Sequence, residues 1–205
     1  MTERRSIGVL LFNQFELLDV FGPLEMFGLL PEHFDLLLVA ESGSRVASAQ
    51  GPASVIDYRF EDSPDFDLLL VPGGRGTRRE VDNPVLLDWL RDRAGSAELI
   101  TSVCTGSALL ARAGILDGQR ATTNKAAFTW VAAQGERVDW VKQARWVEDG
   151  RFFTASGVSA GMDMSLAVIS RLHGEDLAEQ VANWSEYDWH RNPAWDPFAA
   201  VHNLV

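Results

Sequence analysis

The segment Leu99-Ile100-Thr101-Ser102-Val103-Cys104-Thr105-Gly106-Ser107 joins two kinds of patterning. Glu98 to Val103 is a short apolar run with β-branched residues, of the kind that fills a buried strand. From Thr105 to Ala113 the spacing is helical, and Gly114 ends it at a C′ position. Cys104 therefore falls where a strand gives way to a helix, with small Ser102 two residues before it and Gly106 two residues after. That arrangement suits a nucleophile elbow, whose sharp turn needs small neighbours and pushes the nucleophile out at the carboxyl edge of a sheet. A thiol there is expected to feel the helix N-terminus, which favours thiolate and lowers its pKa. The competing reading is a small buried hydrophobe, the usual fate of a free cysteine.

Outward from this segment the same alternation repeats. Ile7–Phe12, Phe34–Val39 and Phe66–Val71 are further apolar runs suited to parallel strands covered on both faces. Leu18 to Leu30 has helical spacing, and Val46 to Ile56, interrupted by Gly51-Pro52, reads as a small hairpin. Asn83-Pro84 supplies an N-cap and a first helical residue for a helix with the face Leu86, Leu87 and Leu90, ending near Gly95. Arg120–Thr123 reads as a strand and Lys125–Gln134 as a helix. Arg145–Val147 and Phe152–Thr154 form a strand pair around an Asp149-Gly150 turn. Helices follow over Ser159–His173 and Glu175–Asp188, then a tail from Arg191 to Val205 rich in proline and aromatics. The alternation predicts a doubly wound α/β sheet with helices on both faces, in one domain spanning residues 1–205.

Composition bounds the function classes. Lys and Arg number 18 against 29 Asp and Glu, a net charge of −11. A field of that sign repels phosphate backbones and anionic surfaces, so neither a nucleic-acid nor a membrane partner is expected. No apolar run approaches the roughly 20 residues of a membrane span, and Met1 to Ser6 leads into a strand without a signal-peptide core. One cysteine cannot form an internal disulfide, and no Cys/His cluster has zinc spacing. These features fit a cytoplasmic protein without a structural metal.

Three further features bear on chemistry. Pro72-Gly73-Gly74-Arg75-Gly76 breaks a strand abruptly and lacks the Lys-[Ser/Thr] of a phosphate loop. It is either a plain chain reversal or an oxyanion-binding loop whose Gly73 and Gly74 N–H groups face Cys104. Asp19 stands among Leu17, Leu18, Val20 and Phe21, where a carboxylate is costly unless paired, protonated or used. The alternative is an N-cap for a helix beginning near Gly22-Pro23, with Glu25 brought toward the same crevice. None of His33, His173, His190 and His202 ends a strand, so all four read as solvated or structural and the partner of Cys104 is expected to be a carboxylate. Trp184, Trp189 and Trp195 suit core packing, with a pocket wall or a dimer contact as the alternatives.

Taken together, these residues resemble the ThiJ/PfpI superfamily, related to class I glutamine amidotransferases. The likeness runs through Asp19-x-x-Gly22-Pro23-x-Glu25-x-Phe27, Val71-Pro72-Gly73-Gly74, Ser102-Val103-Cys104-Thr105-Gly106, Ala121-Thr122-Thr123 and Gly157-Val158-Ser159-Ala160-Gly161-x-Asp163. It implies a flavodoxin-like three-layer sandwich and a homodimer. With Asp at position 19 and Cys-Thr-Gly at the elbow, the chain is most similar to the isocyanide hydratases, which convert R–N≡C and water to an N-formamide without cofactor or metal. That resemblance implies Cys104 as nucleophile, Asp19 as its acid–base partner, Thr105 and Gly74 as backbone donors, and Val158 packed beside the sulfur. Many relatives carry His after the Thr-Thr pair, whereas this chain has Asn124, which hydrogen-bonds but exchanges no proton near neutral pH. The alternatives are a glyoxalase or deglycase acting on α-oxoaldehydes, which usually has Glu where Asp19 stands, and a non-enzymatic redox sensor oxidised at Cys104.

Overall fold

A computed structural model describes residues 4–205; Met1 to Glu3, part of the amino-terminal reading, lie outside the described residues. In chain order its strands are β1 (Arg5–Leu11), β2 (Phe34–Ala40), β3 (Arg45–Ala47), β4 (Ala53–Val55), β5 (Tyr58–Arg59), β6 (Leu68–Val71), β7 (Leu99–Val103), β8 (Arg120–Ala121), β9 (Asp139–Trp140), β10 (Trp146–Asp149) and β11 (Phe152–Ala155). Its helices are α1 (Leu17–Gly28), α2 (Thr77–Glu80), α3 (Pro84–Ser96), α4 (Gly106–Arg112), α5 (Phe128–Ala132), α6 (Ala160–His173), α7 (Glu175–Trp184) and α8 (Phe198–Val201).

Seven strands form one sheet in the order β10-β11-β7-β6-β1-β2-β5, parallel throughout except for β10, which runs antiparallel to β11. The central strands are sealed because helices cover both faces: α1, α6 and α7 pack on one another, and α2, α3 and α4 form a second group. Leu10, Leu69, Leu70 and Ile100 have no solvent exposure. Burying one such side chain contributes about 1.5–3 kcal/mol. Continuous apolar runs, rather than alternating ones, are what two-sided burial requires, and the architecture is flavodoxin-like.

The chain's winding places the site. β1 lies between β2, its successor, and β6, so the connections part company at its carboxyl end and leave a crevice there. The loop after β1 and the loop after β6 are laced across it: Glu16 N–H donates to Gly73 O at 2.9 Å, and Gly76 N–H to Gln14 O at 3.1 Å.

Several elements differ from their sequence reading. α1 starts at Leu17, capped by Glu16 through backbone only, so Asp19 lies in its first turn and caps nothing at Gly22-Pro23. Pro23 sits inside this helix, where it leaves the Asp19 carbonyl without its usual i+4 donor. The Arg120–Thr123 run shortens to two residues, pairing with the unforeseen β9 in a sheet of their own. The Lys125–Gln134 helix contracts to α5, because Asn124 Oδ1 accepts the Ala127 N–H at 3.0 Å and spends three residues on a turn. α7 stops at Trp184 rather than Asp188. The β10–β11 turn is Gly150-Arg151, with Gly150 at φ 61°, since Asp149 pairs with Phe152. Asn83 caps α3 as expected, accepting from Val85 and Leu86 N–H groups.

Candidate active site

β7 delivers Cys104 to the carboxyl edge, and the residue turns there at φ 57°. A non-glycine residue in the left-handed region costs roughly 1–2 kcal/mol and persists only where its surroundings hold it. Here Cys104 N–H donates to Ala155 O at 3.1 Å, while Cys104 O accepts from Ser107 Oγ at 3.2 Å and Thr123 Oγ1 at 2.9 Å. The elbow geometry is present, but the residue is only 7% exposed.

Asp19 comes to the same place from α1 and has no exposure at all. Its Oδ2 accepts the Gly73 N–H at 2.9 Å, whereas Oδ1 is buried without a hydrogen-bond partner. Burial holds the Asp19 carboxyl well above its ordinary range, opposed by the Gly73 N–H, reinforced by the charge of Glu16, and opposed again by the Cys104 thiol. The thiol is therefore a neighbour that favours ionised Asp19, while Oδ1 itself has no hydrogen-bond partner. Burial likewise pushes the thiol well above its ordinary value, and the charge of Asp19 pushes it further. The Thr105 backbone N–H opposes this, Glu16 adds to it, and the Thr105 hydroxyl opposes it. The expected thiolate at a helix N-terminus is thus corrected: α4 is short, and desolvation beside a carboxylate outweighs its field. Both groups are held above their ordinary values, and each acts on the other.

The glycine loop is corrected as well. Gly73 N–H is committed to Asp19, and Gly74 N–H donates to Thr105 Oγ1 at 3.1 Å. Thr77 Oγ1 donates to Gly74 O at 2.7 Å and meets Thr105 Oγ1 at 3.1 Å. The loop therefore orients Asp19 and Thr105 rather than offering free donors, and the N–H beside the sulfur is that of Thr105. Gly73 must be glycine: a Cβ there would stand 2.5 Å from Thr105 N.

A cavity of about 290 Å³ opens alongside, lined by Leu18, Asn124, Gly157, Val158, Phe198 and His202 among others. Gly157, at φ 147°, separates it from the sulfur: a Cβ at that position would lie 3.3 Å from Cys104 Sγ and 2.8 Å from Asn124 Nδ2. A larger cavity of about 570 Å³ lies beyond β1 and β2, near Glu41, Arg45, Arg79 and Asn83, and none of the candidate residues lines it. The smaller one is the cavity beside the elbow, with Gly157 standing between it and the Cys104 sulfur.

The sequence matches the DJ-1/PfpI family over residues 5–171. The chain belongs to the DJ-1/PfpI family. It is 39% identical to an isonitrile hydratase of Pseudomonas putida over 182 residues, covering 89% of this chain and 78% of that protein. It is 31% identical to the HTH-type transcriptional regulator GbdR of Pseudomonas aeruginosa, covering 92% of this chain and 52% of the regulator; the chain spans about half that relative's length. Among solved structures, a ThiJ/PfpI family protein from Pseudomonas syringae superposes with a TM-score of 0.84 at 34% identity, covering 91% of this chain and 76% of that one.

Within this DJ-1/PfpI site some residues fall elsewhere than sequence reasoning put them. Glu25 is exposed on α1, and the second carboxylate acting on Cys104 and Asp19 is Glu16. His33 and His173 lie against each other with tilted rings, centroids 4.4 Å apart, beside the amino-terminal end of β1 and remote from the elbow. His190 N–H donates to Asp163 Oδ1 at 2.8 Å. His202, read as solvated or structural, instead lines the cavity. Trp184 and Trp195 are 57% and 50% exposed, and none of the three C-terminal tryptophans reaches the cavity. A Lys125–Asp196 pair in the cavity lining is not legible in the sequence; its partners are far apart in the chain, and only the proline-aromatic composition of the tail hints at a docked segment. No helix among the described residues is long and apolar enough to cross a membrane.

Proposed function

We propose that the chain is a cysteine-dependent isocyanide hydratase. The observation that carries this reading is the juxtaposition of Cys104 with an Asp19 whose one oxygen is anchored and whose other is free. The similarity to the Pseudomonas putida isonitrile hydratase supports it. In the first step Cys104 sulfur bonds to the terminal isocyanide carbon while the thiol proton passes to Asp19 and then to that carbon. The product is a thioimidate, R–N=CH–S–Cys104. Water then adds to the same carbon, its protons are relayed to the substrate nitrogen and the departing sulfur, and the C–S bond breaks to release R–NH–CHO. The sum is one water added, with no electrons exchanged. General acid–base help of this kind is worth about 10²–10⁴-fold. A raised pair of pKa values suits it, because a proton is held where the adduct carbon needs one.

The Asn124 position fits this chemistry. Its Oδ1 is spent on the Ala127 N–H, leaving Nδ2 turned toward Gly157 and the cavity as a donor rather than a proton-exchanging group. The test is a turnover panel of isocyanides and α-oxoaldehydes on wild type and Cys104→Ala. Formamide formed by wild type alone supports the hydratase. Consumption of an oxoaldehyde with no formamide transfers the site to the glyoxalase and deglycase chemistry.

We also propose a homodimer through α1, where Leu18 and Phe21 are 39% and 41% exposed and Leu18 reaches the cavity. A paired α1 face would bury this apolar surface next to the site.

A further inference from the structure

The tail beyond α7 crosses back over the molecule and is buckled to it. Arg145 N–H donates to Pro193 O at 2.7 Å and Asp196 N–H to Gln143 O at 2.9 Å. Asp196 is 1% exposed; its Oδ2 accepts Ser156 Oγ at 2.5 Å and stands 4.0 Å from Lys125 Nζ, while Oδ1 accepts the Phe198 N–H at 3.1 Å. Lys125 is equally sealed, donating to Thr122 Oγ1 at 2.7 Å and Ala144 O at 2.5 Å. A buried ion pair adds little net stability, since desolvation offsets the attraction. What it does here is fix a direction, because both ends are saturated by hydrogen bonds and Asp196 itself starts α8.

That direction carries two side chains over the cavity. His202 N–H donates to Phe198 O at 3.1 Å, so the two residues lie one helical turn apart and share a side. Both line the cavity that Leu18, Asn124, Gly157 and Val158 also line. Phe198 is 52% exposed, which leaves part of its ring free to contact a molecule in the cavity. Both residues lie beyond the stretch that matches the family, which ends at residue 171. A cavity of about 290 Å³ is at the low end of the roughly 300–1,000 Å³ range of small-molecule sites.

We propose that Phe198 and His202 are specificity-determining residues, forming the outer wall of the substrate cavity. Phe198 packs against the substituent on the isocyanide nitrogen, His202 closes the polar rim, and the Lys125–Asp196 buckle positions both. The site thereby selects compact apolar substituents over extended ones. This assignment rests on the isocyanide reading for the identity of the substrate, but not for the existence of the wall.

Two measurements separate those claims. In the first, kcat/KM is compared for tert-butyl and 2-naphthyl isocyanide. Phe198→Ala should raise the naphthyl-to-butyl ratio by about tenfold, the discrimination one apolar pocket contact supplies. His202→Ala should raise KM with little change in kcat, and Asp196→Asn should relax selectivity as Phe198→Ala does. In the second, Cys104 alkylation by iodoacetamide and by its N-naphthyl analogue is followed by intact mass, with no turnover needed. Phe198→Ala should again favour the naphthyl reagent by about tenfold. If wild type hydrates no isocyanide while the alkylation ratio shifts, the functional reading fails and the wall stands. An unchanged alkylation ratio overturns the wall, whatever the turnover. Phe198→Leu, which keeps a smaller apolar side chain at that position, replaces the alanine variant if the latter does not fold.

Discussion

Asp19 and Cys104 meet in a chamber where the charge of the carboxyl raises the thiol's pKa, while the thiol lowers that of the carboxyl. In the proposed reaction this coupling makes Asp19 the group that takes the thiol proton as Cys104 attacks.

Asp19→Asn should fold and lose turnover by about 10²–10⁴-fold, the worth of a positioned acid–base group. Its thiol should ionise at lower pH than in wild type, because a negative neighbour is gone. The pH profile of iodoacetamide alkylation reads this directly. A profile shifted upward or left unmoved contradicts the coupling.

The same substitution should raise Tm at neutral pH. Asp19 has a folded-state pKa above its unfolded value, so its contribution to stability is fully present below the unfolded pKa and is lost as pH rises through the folded one. Asparagine removes that loss. Tm curves for the two proteins should converge in acid and separate toward neutrality; a wild type more stable at pH 7 counts against the assignment.

Gly157→Ala tests the passage between cavity and sulfur. The new methyl would stand 3.3 Å from Cys104 Sγ and 2.8 Å from Asn124 Nδ2, at a φ of 147° that side chains rarely adopt. Turnover and alkylation should both fall by about tenfold or more, with a lower Tm from the strained backbone. Alkylation at the wild-type rate would mean that reagents reach the thiol by another route.

Lys125 gives a pH dependence of the opposite sign. Burial lowers its pKa to about 8, with Asp196 opposing, whereas an unfolded lysine titrates near 10.4. Between about pH 8 and 10.4 the unfolded chain binds more protons, so this group makes stability rise with pH across that window. Lys125→Met should abolish the rise. Parallel Tm curves for wild type and variant from pH 7 to 10 would remove the buried lysine from the account.

Phe21→Glu should convert the proposed dimer to a monomer, since a charge on the α1 face would be trapped at the interface. Light scattering at micromolar concentration checks this, and a wild-type monomer rejects the dimer outright.

The sheet was legible because two-sided burial leaves a continuous apolar signature, clear in Ile7–Phe12, Phe66–Val71 and Leu99–Val103. The elbow was legible because the turn at Cys104 demands small residues at 102 and 106. Gly73 and Gly74 marked a close approach correctly, but sequence could not tell which acceptor each N–H would meet. The thiol's pKa was misjudged for a related reason: a local helix terminus is visible in sequence, whereas desolvation and a carboxylate from another element are not. The buckle was hidden because Lys125 and Asp196 pair only after the tail has folded across the body. The helix expected over Lys125–Gln134 shortened because a local side-chain bond from Asn124 competed with the helical pattern.

The most direct test of the central claim is the intact mass of the wild-type protein quenched within milliseconds of mixing with an isocyanide. A nucleophilic Cys104 should gain the full mass of the isocyanide, since addition expels nothing, and the increment should map to Cys104 and vanish in Cys104→Ser. Formamide production by Cys104→Ser, or wild-type turnover with no adduct ever traced to Cys104, would contradict it.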